Sequence, residues 1–255
     1  MVLLATLPPI PRFMSFRQWS ITQYTLIVLS ILLGWGTTLW LIDRWIKYGH
    51  RSLVWVAVVL CTVFGTTLYL FPAVVSQYSL GTKDFLGIVF SLGIGYLISL
   101  LFRKPGYIVG ILYCCGMIDM LSVSLPGGPT RETAKKAPQV LSWFLQQYPV
   151  PFTDRWMGIL GFADWILITA IVCIAHRYKL PYRKMLLGVY GGLVLLLVMT
   201  LITNASPGLP ALPFIALGLL FPVRNRLKKN WWGYRESLAI SIGLIGFTFF
   251  LIALT

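Results

Sequence analysis

The sequence predicts an all-α fold, a polytopic membrane protein of about eight transmembrane helices. Three observations lead there. Hydrophobic residues make up 58% of the 255-residue chain and charged residues 11%, against about 25% charge in a soluble domain. Mean hydropathy is +0.81. The apolar residues also gather into runs near the length that carries a helix across a bilayer, about 20 residues.

Those runs are 21–42, 53–73, 85–102, 106–125, 156–175, 185–204, 209–223 and 237–254. The first stops before Arg44 and Lys47, the third before Arg103 and Lys104, the fifth before Arg177 and Lys179, and the short seventh before Arg224 and Arg226. Residues 1–13 are broken by proline and lack the basic start of a cleaved signal peptide, so they read as an interfacial lead-in. The whole of 1–255 reads as a single transmembrane domain.

The net charge of +14 has a topological reading, because Lys and Arg gather in cytoplasmic loops. Arg12, Arg17, Lys83, Arg131, Lys135, Lys136 and Arg155 fall on one side, and the other 14 of the 21 basic residues fall on the opposite side. That asymmetry puts both termini and the 126–155 loop outside the cytoplasm. Solvated cytoplasmic anchoring accounts for the charge, so no nucleic-acid partner is expected, and the lipid bilayer is the expected surround. Cys61, Cys114, Cys115 and Cys173 each fall within a run and have neither metal nor redox spacing. With no nucleotide-binding glycine loop or haem-attachment pattern, no cofactor or metal is expected.

Seven residues are acidic. Asp43, Asp84, Glu132, Asp154 and Glu236 lie at or outside the expected helix ends and read as solvated loop or interface residues. Asp119 and Asp164 lie inside runs, where a carboxylate costs about 2.5–3.5 kcal/mol and is a functional candidate by default. Counted from Leu125 and Trp156, which flank one loop, their expected depths are about 9 and about 12 Å. Antiparallel neighbours would then bring the two carboxyls together, and such a pair shares one proton, so that one accepts from water while the other donates to a carbonyl. The alternatives are that each aspartate merely hydrogen-bonds a neighbouring helix, or that the pair forms a proton or cation relay in a transporter. His50 and His176 sit in basic loops, and no HExxH occurs, which disfavours serine or zinc chemistry.

In SPGLPALPFIALG, residues 206–218, Pro207, Pro210 and Pro213 crowd a helix start. Proline lacks an amide and disfavours helix before it, so irregular backbone facing a cavity is one reading and a plain proline helix start is the other.

Together these segments resemble the intramembrane aspartyl proteases of the presenilin and signal peptide peptidase family. Members carry Tyr-Asp in one span, Gly-X-Gly-Asp in the next and Pro-Ala-Leu at the start of a later one. The counterparts here are Ile118-Asp119, Gly161-Phe162-Ala163-Asp164 and Pro210-Ala211-Leu212, in the same order over about 105–222. The run Leu125-Pro126-Gly127-Gly128-Pro129-Thr130-Arg131 is similar to the presenilin pattern after its first aspartate. Ile118 replaces the tyrosine, Ala163 replaces the second glycine, and the peripheral helix count differs.

The resemblance implies a presenilin-like catalytic core in which Asp119 and Asp164 hydrolyse membrane-spanning peptides. Pro210, Ala211 and Leu212, with Gly161, Phe162 and Ala163, would contact the unwound substrate. With the 126–155 loop outside, substrates with a cytoplasmic N-terminus are favoured. Val140, Phe144 and Tyr148 recur at four-residue steps beside Leu141 and Leu145, which predicts a short amphipathic helix on the membrane face. Very short loops fit a compact microbial protein of the plasma membrane. The readings left open are a transporter with an aspartate relay and a catalytically silent relative that binds membrane peptides.

Overall fold

The computed structural model describes residues 21–48, 59, 79–125, 127–137, 144–149, 156–203 and 209–223. Among them the fold is mostly helical: α1 (Ile21–Tyr48), α2 (Ser79–Leu101), α3 (Tyr107–Ser124), α4 (Pro129–Lys136), α5 (Phe162–Arg177), α6 (Tyr182–Thr203) and α7 (Leu212–Leu220), with a hairpin of β1 (Leu145–Pro149) and β2 (Trp156–Gly161) between α4 and α5. Among the described residues three helices are long and apolar enough to cross a membrane, over Thr25–Tyr48, Lys83–Leu101 and Tyr182–Ile202, and Tyr107–Val123 is a shorter apolar helix. The expected runs at 53–73 and 237–254 and the lead-in at 1–13 lie outside the described residues, apart from Val59.

The chain forms two compact units, one of 1–96 with 133–169 and one of 97–132 with 170–255. In the first, α1 turns Ile27, Ile31, Trp35, Leu39 and Ile42 inward at helical spacing. Its outer face carries Leu29, Leu33 and Trp40, the pattern of a helix whose outer solvent is lipid. Near its end the Arg44 guanidinium stacks 5.2 Å from the Trp40 ring, as basic residues do on reaching toward an interface.

The hairpin replaces two expectations. Residues 145–149 form a strand where an amphipathic helix was expected, with 138–143 outside the described residues, and 156–161 form a strand where the fifth span was expected to begin. Pro149 pushes Tyr148 into extended backbone, and Gly158 and Gly161 weaken a helix over 156–161. The strands are antiparallel, pairing Leu145 with Gly161 and Tyr148 with Met157, and the register shifts between Gln146 and Gln147. Consequently α5 begins only at Phe162.

In the second unit, α7 packs closely on α6 and α3. Gly188 and Gly192 on α6, four residues apart, face the α7 backbone. A Cβ on Gly188 would lie 2.0 Å from the Gly218 carbonyl oxygen, and one on Gly192 would lie 2.3 Å from that of Phe214. Small residues at this spacing let two helix backbones touch, a frequent device between membrane helices. At the far end of α5, Arg177 donates to the Ser99 carbonyl at 3.1 Å and to the Ser99 hydroxyl at 3.2 Å, placing a cation at the C-terminal turn of α2.

Candidate functional site

Asp119 sits on α3, and its carboxylate meets the start of α7. The backbone amides there have few partners: Pro213 has none to offer, and the Phe214 and Ile215 amides both bond to the Ala211 carbonyl at 3.1 Å. Ala211 supplies no side-chain cap. Asp119 fills the gap, its Oδ2 accepting from the Leu212 amide at 2.9 Å, with the Ala211 amide directed at the same carboxylate. A carboxylate from another helix thus caps α7 and complements the positive end of its dipole. The predicted Pro210-Ala211-Leu212 segment and Asp119, 93 residues from Leu212, therefore share one site. Ala211 is buried there, while Ile118, the residue in place of tyrosine, is 40% exposed.

The loop after Asp119 closes on itself. Gly127 has φ +82°, a conformation that favours glycine, and a Cβ on Gly128 would lie 2.3 Å from the Ser122 carbonyl oxygen. Ser122 and Thr130 hydroxyls lie 2.6 Å apart, and the Thr130 amide donates to Ser122 Oγ at 3.0 Å. Gly127 and Gly128 so lead the chain into α4.

Asp164 belongs to the first compact unit. It is the third residue of α5, and its Oδ2 accepts from the Gly161 amide at 2.9 Å, half of a capping box. Counting from Trp156 put it about 12 Å deep, but the helix begins at Phe162, so Asp164 lies only about 3 Å along it. Of the other predicted contact residues, Gly161 ends β2, Phe162 starts α5, and Ala163 is exposed.

Sequence reasoning missed a buried polar group beneath this turn. Asp84 reads from sequence as a solvated loop or interface residue, and Lys83 only as one of the basic residues outside the spans. Both lie inside α2, less than a tenth exposed, with Nζ and Oδ1 3.2 Å apart. Asp84 Oδ2 accepts from the Gln147 amide at 2.8 Å, and Lys83 Nζ donates to the Leu145 carbonyl at 3.1 Å. Trp165, fully buried, donates through Nε1 to Gln146 Oε1 at 3.0 Å. Tyr148 completes the group: burial pushes its phenol well above the ordinary tyrosine value, and the negative charge of Asp84 adds to the shift. The available signal was an adjacent Lys-Asp pair heading the apolar run 85–102.

Among the described residues no three His, Cys, Asp or Glu side chains gather into a metal site. Fold and site together define a mostly helical protein with three helices among the described residues long and apolar enough to cross a membrane, in which the two candidate aspartates each hold a helix N-terminus. Compared with known proteins, the chain matches no family model, no curated protein and no solved structure.

Proposed function

We propose that this protein is an intramembrane aspartyl endopeptidase of the presenilin and signal peptide peptidase type, hydrolysing peptide bonds within membrane-spanning segments. The observation that carries the reading is the bond from the Leu212 amide to Asp119, because it joins a carboxylate of the apolar helix α3 to the Pro-Ala-Leu backbone in one site. In this mechanism Asp119 and Asp164 pair. One takes a proton from water as the oxygen attacks the scissile carbon, the other donates to the carbonyl oxygen, and the resulting diol collapses with proton transfer to the leaving amine. The substrate helix unwinds first, because its carbonyls are otherwise bonded internally, and Pro210-Ala211-Leu212 with Gly161-Phe162-Ala163 holds the extended stretch. No cofactor takes part, and the partners are membrane peptides in a microbial plasma membrane.

One observation favours a second reading, the catalytically silent peptide-binding relative. Each carboxylate already holds a backbone amide, which is sufficient structural employment for both. A proton or cation relay is the third. The test is cleavage of a labelled single-span peptide by purified protein in detergent, with Asp119→Asn and Asp164→Asn alongside wild type. Cutting that vanishes in both variants sustains the protease. Folded wild type that binds but leaves a broad peptide panel intact overturns it in favour of the silent relative.

A further inference from the structure

Asp164 is held at a turn whose supports come from one end of α2. Lys83, Gly87 and Ser91 are spaced by four and share a helix face. Gly87 leaves room for the Phe162 ring, since a Cβ there would lie 2.3 Å from its Cζ. The Lys83 ammonium stands 5.9 Å from the centroid of that ring. Ser91, fully buried, shares its hydroxyl proton between the Gly87 carbonyl at 2.7 Å and the Phe162 carbonyl at 3.1 Å. Phe162 is the first residue of α5 and lies two before Asp164.

The same end of α2 holds the hairpin. The Asp84 bond to the Gln147 amide falls at the register shift between Gln146 and Gln147, and Lys83 takes the Leu145 carbonyl two residues earlier. Leu145 pairs with Gly161, whose amide bonds to Asp164, and Gln146 receives Trp165, the next residue after Asp164. An irregular pairing is where a strand slips, and a slip of one residue reverses every side chain on it. Here a slip would turn Gln146 away from Trp165 and move Gly161 off Asp164.

A buried ion pair is a poor source of net stability, because desolvation offsets the attraction and an apolar pair of similar volume often does as well. Its directional bonds to one amide and one carbonyl are what an apolar pair could not supply. We propose that Lys83 and Asp84, with Gly87 and Ser91, are positioning residues for Asp164, pinning the hairpin register and the strand-to-helix turn that aim its carboxylate. The catalytic consequence rests on the protease reading above, whereas the positional consequence stands apart from it.

The test compares wild type with Lys83→Met/Asp84→Leu, which makes the pair apolar and removes both charges and the acceptor for the Gln147 amide. Residue-resolved amide hydrogen exchange in detergent is read at Gln147 and Gly161 against the interior of α5, and kcat and KM are measured on the labelled single-span peptide. Exchange at both amides is expected to quicken at least tenfold while α5 and the melting temperature hold. The expected change in kcat is a fall of about 10- to 100-fold at constant KM, the effect of a misplacement near 1 Å. A variant with wild-type exchange at Gly161 overturns the proposal, as does a parallel loss of melting temperature and all protection, which marks a purely structural pair. If wild type cuts nothing, the protease reading fails and Gly161 exchange alone decides the positioning. Should the double variant not fold, Ser91→Ala replaces it, with unchanged Gly161 exchange and kcat again the overturning result.

Discussion

Replacing Gly188 with alanine tests the α6–α7 contact that presents Leu212 to Asp119. The new Cβ would stand 2.0 Å from the Gly218 carbonyl oxygen and 2.8 Å from its carbon, where real Cβ atoms essentially never approach within 3.0 Å. The obstacle is backbone, so no rotamer relieves it, and the helices must part locally by about 1 Å, an overpacking that costs about 1–3 kcal/mol. Alanine also adds about 0.5–1 kcal/mol of helix preference over glycine. Gly191→Ala, on the same helix with nothing within 4 Å of its Cβ position, has that gain alone, so the difference between the two variants isolates the overpacking. At roughly 2–4 °C per kcal/mol, their melting temperatures should differ by a few degrees and up to about 12 °C, with Gly191→Ala at or above wild type. The shift should also reach the Leu212–Asp119 bond, now 2.9 Å, because such bonds weaken beyond about 3.2 Å. Thermal unfolding in detergent and hydrogen exchange at the Leu212 amide measure both effects. A folded Gly188→Ala with the melting temperature of Gly191→Ala and full Leu212 protection would refute the reasoning.

Two further predictions follow from the site. Asp119→Ala should lower stability by about 1–2 kcal/mol by leaving the α7 amide uncapped, whereas Asp119→Asn, which keeps an acceptor, should lose less than half as much; equal losses by chemical denaturation would contradict the capping role. Tyr148 is held neutral by burial, so its folded value lies above its unfolded value of about 10, and folding retains a proton that the unfolded chain releases. Its contribution is full below pH 10 and declines above it, by up to about 1.4 kcal/mol per pH unit. Tyr148→Phe should therefore lose less stability than wild type between pH 10 and 11, and parallel alkaline melting curves would count against the buried phenol.

The apolar runs alone determined that this is a mostly helical membrane protein. They also placed α1, α2, α3 and α6 to within six residues at each end, because hydrophobicity adds along the chain and needs no knowledge of partners. The cost of an isolated carboxylate likewise marked Asp119 and Asp164, and the prolines marked a helix start near Leu212, where Pro213 stands in the first turn. Tertiary structure decided what these groups touch. That Asp119 caps a helix 93 residues away, and that Lys83 and Asp84 are buried against a strand rather than solvated, depends on partners remote in sequence. Hydrogen bonds are directional and short, so a charge near a helix end reads the same until its partner is in place. The hairpin escaped for a related reason: the four-residue spacing of Val140, Phe144 and Tyr148 is equally compatible with strand, and Pro149, the glycines of 156–161 and the ion pair of α2 together tipped the balance. The same holds for Gly188 and Gly192, whose spacing is visible in the chain but whose meaning comes from the backbone of α7 lying against them.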